Sequence, residues 1–165
     1  MNKPKLIVIL GPTAAGKTNL SIKLAKEFDG EVVSADSRQV YKKMDLGTGK
    51  VTDEEAQGIP HHLIDVVDPK EDFNVVQFQE LAYEAIDKIT EEDKLPFLVG
   101  GSAFYLYSIV DGYVFPGVPP KPDLREKLQE KSADELYQKL KKLDSDRAEE
   151  LEKNNKRRVI RSIEI

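Results

Sequence analysis

Residues 6–18 read Leu-Ile-Val-Ile-Leu-Gly-Pro-Thr-Ala-Ala-Gly-Lys-Thr, an apolar run followed at once by the pattern G-x-x-x-x-G-K-[ST]. This order predicts a buried strand, a phosphate-binding loop and the start of a helix. Glycines at positions 11 and 16 allow a tight turn that aims backbone N–H groups inward, and the helix start adds a positive dipole. An ordinary glycine turn is the alternative, and the strand and helix that flank the loop disfavour it.

Length and composition limit the class of protein. The 165 residues suit one domain with a small appendage, and the absence of cysteine excludes disulfides and thiolate metal sites. No apolar run approaches the roughly 20 residues that span a bilayer, so we expect a cytoplasmic protein without a membrane segment. Residues 1–120 contain twelve basic and nineteen acidic residues, whereas residues 121–165 contain thirteen basic and eleven acidic residues. Basic character therefore gathers towards the end of the chain.

Strand and helix patterns alternate in the first part of the chain. Beyond the loop, the spacing of apolar residues predicts helices at 19–28, 75–90 and 104–110, and strands at 31–35, 61–67 and 95–99. Parallel strands need crossover connections of the kind that such helices supply. The alternation therefore predicts an α/β fold, a P-loop NTPase-like parallel sheet flanked by helices.

The pattern changes after residue 110. Two glycines and four prolines within residues 111–122 predict a linker, and leucines at helical spacing from Asp123 onward predict two or three amphipathic helices. We expect an α/β core at 1–118, a small helical insertion domain at 119–153, and a helix at 154–165 that returns toward the core.

Polar residues follow two of the predicted strands, at the edge where parallel sheets bind ligands. Asp36 comes directly after the second strand, and Ser102 follows the glycine pair that ends the last one. A carboxylate beside a pyrophosphate cradle suits a reaction in which a substrate loses a proton while pyrophosphate leaves. A role for Asp36 as a turn former stays open at this point.

A small-molecule kinase or NTPase is the alternative enzyme class. Such enzymes use a second acidic residue at the end of an apolar strand to hold Mg²⁺, and Asp65 is the only fair candidate. His61 and His62 have no third metal ligand at a recognisable spacing, so we expect them to pack or to form hydrogen bonds.

Several segments, in order along the chain, resemble the tRNA dimethylallyltransferase family. They are Gly11-Pro12-Thr13-Ala14-Ala15-Gly16-Lys17-Thr18, Ser34-Ala35-Asp36-Ser37-Arg38-Gln39-Val40-Tyr41, residues 44–50, residues 59–65, Gly100-Gly101-Ser102, and residues 157–164. Ser102 stands where the family usually has threonine. Together these matches are far more specific than the phosphate loop alone.

The resemblance implies a reaction and the residues that perform it. Dimethylallyl pyrophosphate would lie in the loop from Gly11 to Thr18, and its prenyl group would pass to N6 of an adenine next to the tRNA anticodon. Asp36 matches the family's general base, Lys17 would stabilise the leaving pyrophosphate, and Thr18 would hold Mg²⁺ as cofactor. Ser102 would complete the catalytic group.

The resemblance also implies how tRNA is bound. The residues expected to contact it are Asp36, Ser37, Arg38, Gln39, Ser102, Arg125, Arg157, Arg158 and Arg161. Family members continue well beyond the counterpart of Ile165, with an arginine-bearing segment that completes the pyrophosphate site. The resemblance thus implies either a fragment or a reduced homologue without this segment, and an inactive tRNA- or pyrophosphate-binding module is a further alternative. We expect a monomer.

Overall fold

The computed structural model describes residues 5–165 and divides them into two compact units, one ending at Tyr113 and the other spanning Val114–Ile165. The first unit holds a sheet of four strands, β1 (Ile7–Leu10), β2 (Gly30–Ser34), β3 (His61–His62) and β4 (Leu95–Gly100). Their order is β1-β4-β2-β3, and each neighbouring pair is parallel. The parallel α/β sheet predicted from the alternation is confirmed.

Helices α1 (Lys17–Glu27), α3 (Val75–Glu91) and α4 (Ala103–Val110) cover the two faces of this sheet. The single-turn helix α2 (Asp53–Ala56) has no buried residue. Successive side chains of a strand point to opposite faces, so Val32 packs in a cluster with Ala25 of α1 whereas Val33 packs with Phe78 of α3. Across residues 5–165, every helix is too short or too polar to cross a membrane.

The predicted third strand over residues 61–67 is wrong beyond its first two residues. Leu63 and Asp65 have φ angles of 62° and 57°, and this left-handed conformation interrupts a ladder that needs extended backbone. The chain turns instead and meets the segment after β2, where Asp65 N–H donates to the Gln39 carbonyl at 3.2 Å. Asp65 is thereby removed from a strand end.

The second unit is helical. It contains α5 (Pro122–Gln129), α6 (Ala133–Leu143), α7 (Ser145–Glu149) and α8 (Lys156–Glu164), in agreement with the leucine spacing. Val159 and Ile160 of α8 share a buried cluster with Leu128, Leu136 and Leu140. The apolar face of α8 thus contributes to the core of the helical unit.

Gly100 sets how closely the end of β4 approaches β2. A Cβ atom at this position would lie 2.1 Å from the backbone oxygen of Ala35, whereas one at Gly101 would have its nearest neighbour at an ordinary 3.4 Å. Because the clash is with backbone, Gly100→Ala must displace Ala35 and the segment after it. We expect a loss of about 1–3 kcal/mol in the free energy of unfolding, measured by urea titration. Gly101→Ala is the matched control, and equal stability of the two variants would contradict this account.

Candidate active site

The loop between β1 and α1 closes around its own lysine. Lys17 Nζ donates to the Pro12 carbonyl at 2.7 Å, and Ala15 N–H donates to the same oxygen at 3.3 Å. Ala14 and Gly16 have φ angles of 64° and 80°, which turn the backbone sharply before α1 begins. Since Gly16 at the N-cap has no side chain, the first N–H groups of α1 remain for a bound anion.

A cavity of about 400 Å³ lies beside this loop. Its wall includes loop residues from Thr13 to Thr18 together with Asp36 and Gln39 from the segment after β2. The structure therefore brings the predicted phosphate site and the predicted base to one cavity. Sequence reasoning missed several further lining residues, among them Thr48, Val51, Glu55 and His61.

Asp36 is half-buried and acts in the turn as well as at the cavity. Its Oδ1 accepts hydrogen bonds from the backbone N–H groups of Arg38 at 2.9 Å and Gln39 at 3.4 Å. These two bonds fix the carboxylate and leave Oδ2 outside the turn. The turn therefore engages one carboxylate oxygen and does not by itself decide against a role for Asp36 at the cavity.

Ser102 supports this turn from the neighbouring strand end. Its Oγ accepts a hydrogen bond from the backbone N–H of Ser37 at 3.1 Å, and its own N–H donates to the Ala35 carbonyl at 3.3 Å. The hydroxyl therefore holds the residue that follows Asp36. This contact favours a positioning role for Ser102.

Gln39 connects the end of β2 with the loop at residues 44–50. Its Oε1 accepts from Ser34 Oγ at 3.0 Å, while its Nε2 donates to the Gly49 carbonyl at 2.9 Å. Both ends of the amide are used inside the protein. Arg38, by contrast, is exposed, as is Ser37.

Asp65 is engaged by a lysine rather than directed to the cavity. Lys50 Nζ lies 2.8 Å from Asp65 Oδ1 and 2.7 Å from Asp45 Oδ1, and the lysine side chain is only 6% exposed. Burial alone would lower the pKa of Lys50, but hydrogen bonds to the two carboxylates outweigh it and raise the pKa. Asp65, the candidate Mg²⁺ ligand of the kinase hypothesis, thus forms an ion pair with Lys50.

The two histidines form hydrogen bonds on different sides of the sheet edge. His62 Nε2 lies 2.6 Å from Glu31 Oε2, while His61 Nδ1 lies 2.8 Å from the Ile59 carbonyl. Burial lowers the pKa of His61, so the neutral ring donates from Nδ1 and its Nε2 is an acceptor. Within residues 5–165, His61 Nε2 is the one buried side-chain nitrogen or oxygen atom without a hydrogen-bond partner.

Two of the predicted tRNA-contacting arginines bind a buried carboxylate in the second unit. Arg125 Nε and Nη2 donate to the two oxygens of Glu164 at 2.9 and 2.7 Å, and Arg161 Nη1 donates to the same group. Hydrogen bonds from Arg125 above all hold the pKa of Glu164 at about 2. Arg125 and Arg161 keep 38% and 34% of their side chains exposed, and Arg157 and Arg158 are exposed on α8.

The sequence model of the IPP transferase family matches residues 39–165. The chain is 48% identical over 161 residues to a tRNA dimethylallyltransferase of Anoxybacillus flavithermus, covering 98% of this chain and 52% of that protein. It spans about half the length of the curated relatives that it matches.

Solved structures agree with this relation. The full-length tRNA isopentenylpyrophosphate transferase of Bacillus halodurans is 46% identical, with a TM-score of 0.69, and the match covers 98% of this chain and 55% of that one. A eukaryotic dimethylallyltransferase acting on tRNA is 37% identical, with a TM-score of 0.87, and the match covers 99% of this chain and 41% of that one.

Proposed function

Because the chain belongs to the IPP transferase family, we propose that it transfers a dimethylallyl group from dimethylallyl pyrophosphate to N6 of an adenine beside the tRNA anticodon. One observation carries this proposal. A fixed carboxylate, Asp36, lines the same cavity as a phosphate-binding loop, and its Oδ2 is outside the turn that Oδ1 makes. Relatives named for this reaction support the choice of substrates.

The pyrophosphate lies against the loop in this proposal. Backbone N–H groups at the start of α1 and the ammonium of Lys17 face the phosphate oxygens, and Lys17 exchanges its bond to the Pro12 carbonyl for bonds to the ligand. These donors stabilise the negative charge that grows as the allylic C–O bond breaks.

Asp36 serves as the general base. Adenine N6 is a poor nucleophile because its lone pair is delocalised into the ring, so loss of a proton must accompany its attack. N6 forms a bond to the allylic carbon, the C–O bond breaks, and pyrophosphate leaves with the electron pair. The N6 proton passes to Asp36 Oδ2, while Oδ1 stays in its turn.

Thr18 is the residue that would hold Mg²⁺. It lies in the first turn of α1 and lines the cavity. In the described part of the chain, no three His, Cys, Asp or Glu side chains gather as a metal site. A magnesium ion here would therefore combine the Thr18 hydroxyl with water and substrate oxygens, as is common for this ion. When bound, it neutralises charge on the pyrophosphate.

The RNA base must leave its stack to reach this cavity, which an anticodon loop permits more easily than a duplex. We propose that Arg38, Arg157 and Arg158, all exposed, contact phosphates. We propose that Arg125 and Arg161 do so with the N–H donors that Glu164 and, for Arg161, the Val118 carbonyl do not use. We further propose that the protein acts as a monomer in the cytoplasm.

Single-turnover transfer tests the proposal. The chain is mixed with labelled dimethylallyl pyrophosphate, Mg²⁺ and an anticodon stem-loop with an adenine-rich loop. Product at N6 is expected. Absence of product from a folded chain that binds pyrophosphate would contradict the reaction, and hydrolysis of ATP in its place would favour the kinase class.

Lys17→Met is expected to weaken pyrophosphate binding. The substitution keeps the apolar stem and removes one charged donor, which corresponds to a rise in Kd of roughly 10- to 100-fold by calorimetry. Lys23→Met is the matched control, since Lys23 lies on the exposed side of the same helix. An equal effect of the two substitutions would show that Lys17 acts only through the overall charge of the chain.

A further inference from the structure

The loop at residues 44–50 is fixed at several points. Lys50 Nζ binds Asp45 Oδ1 and also donates to the Tyr41 carbonyl at 3.0 Å, while Thr48 Oγ1 donates to the Met44 carbonyl at 2.6 Å. Gly49 is held by Gln39, as described above. A loop with so many internal bonds keeps one shape.

Leu46 stands on this fixed loop with 99% of its surface exposed. Beside it is a hollow of about 460 Å³ whose wall includes Tyr41, Met44, Leu46 and Pro69. Thr48 lines both this hollow and the cavity of the phosphate loop, so the two are adjacent. A rigid apolar wall next to a reaction cavity is suited to a flat apolar group.

The rim of the hollow is basic. Arg38 lines it, and Lys42 and Lys43 are exposed on the segment that leads into the loop. Lys50 offsets one of the two negative charges of Asp45 and Asp65, so these three groups together leave one negative charge against the three positive charges of Arg38, Lys42 and Lys43. An apolar wall with a basic rim matches single-stranded RNA, in which flat bases alternate with negatively charged phosphates.

We propose that this hollow binds an unstacked nucleobase of the RNA loop, adjacent to the adenine that enters the phosphate-loop cavity. Leu46 packs against the face of that base, and the basic rim holds the neighbouring phosphates. By holding one base, the hollow keeps the RNA loop unstacked while the neighbouring adenine is modified. This inference rests on the proposed function, because it assumes that RNA is the substrate.

Leu46→Ala tests the contact through affinity and salt dependence together. The alanine lacks the leucine surface that the bound base would cover, so the Kd for the stem-loop should rise by on the order of tenfold. The slope of log Kd against log salt should not change, because no phosphate contact is lost. Phe28→Ala is the matched control, since Phe28 is 57% exposed and follows the end of α1, at the opposite edge of the sheet.

Abasic RNA identifies the occupant. Removing one base of the loop at a time should reveal a position, other than the modified adenine, whose loss weakens binding as much as Leu46→Ala does. The same abasic RNA should bind Leu46→Ala with no further loss, because the base and the side chain form one contact. 2-Aminopurine at that position should report unstacking on binding to the unaltered chain.

Each other outcome overturns the inference in a distinct way. Equal affinity of Leu46→Ala and the unaltered chain, or additive losses with every abasic RNA, would exclude a base in the hollow while leaving the proposed reaction intact. Self-association that Leu46→Ala removes would assign the hollow to a second copy of the chain. Failure of the unaltered chain to bind the stem-loop would overturn both this inference and RNA as the substrate.

Discussion

Asp36→Asn should lower the single-turnover rate of prenyl transfer by roughly 10²- to 10⁴-fold, the usual contribution of a positioned general base. The amide keeps an oxygen where Oδ1 accepts from the N–H groups of Arg38 and Gln39, so the turn is preserved. It cannot accept the N6 proton. Pyrophosphate affinity should therefore stay near that of the unaltered chain, and the loss should be confined to the chemical step.

Asp68→Asn is the control for this experiment. Asp68 makes a similar turn, with Oδ1 accepting from the Lys70 N–H at 3.0 Å, and it does not line the cavity. Its substitution should leave the rate unchanged. Near-normal turnover of Asp36→Asn would remove Asp36 as the base. A loss of pyrophosphate affinity equal to the loss of rate would show that the turn, rather than the proton, limits transfer.

The loop between β1 and α1 could be placed from the sequence because the residues that form it are consecutive. The strand, the glycines and Lys17 follow one another directly, and a parallel sheet brings the ends of β2 and β4 to one edge. Gly100 shows how close that approach is, since a Cβ atom would meet Ala35. The position of Asp36 at the cavity follows from this geometry.

Other features depend on contacts between distant residues and could not be read from the chain. The run at 61–67 is rich in β-branched residues, as strands are, yet Leu63 and Asp65 adopt left-handed conformations and the strand ends after His62. Lys50 lies fifteen residues before Asp65 in the sequence, and the ion pair between them could not be predicted from the spacing. Leu46 is 99% exposed, which its apolar side chain alone would not predict. Tertiary context decides these cases.

Glu164→Gln should destabilise the helical unit by about 2–3 kcal/mol at neutral pH, measured by urea unfolding and by hydrogen exchange of α8 amides. The side chain of Glu164 has no exposed surface, and it binds Arg125, Arg161 and the backbone N–H of Lys121. These contacts lower its pKa from 4.5 to about 2, so the folded unit favours the ionised form. Glutamine keeps the shape but loses the charge that all three donors share.

The effect should depend on pH with a defined sign. Since the folded pKa is the lower one, the stabilisation from Glu164 is complete above about pH 4.5 and is lost as the pH falls toward 2. The difference between Glu164→Gln and the unaltered chain should therefore shrink across that range. Glu150→Gln is the matched control, because Glu150 also pairs with an arginine three residues away, Arg147, but is 66% exposed. The loss in the free energy of unfolding caused by Glu150→Gln should stay below about 1 kcal/mol. Equal costs for the two variants, or a difference that does not change with pH, would mean that the buried carboxylate does not hold α5 and α8 together.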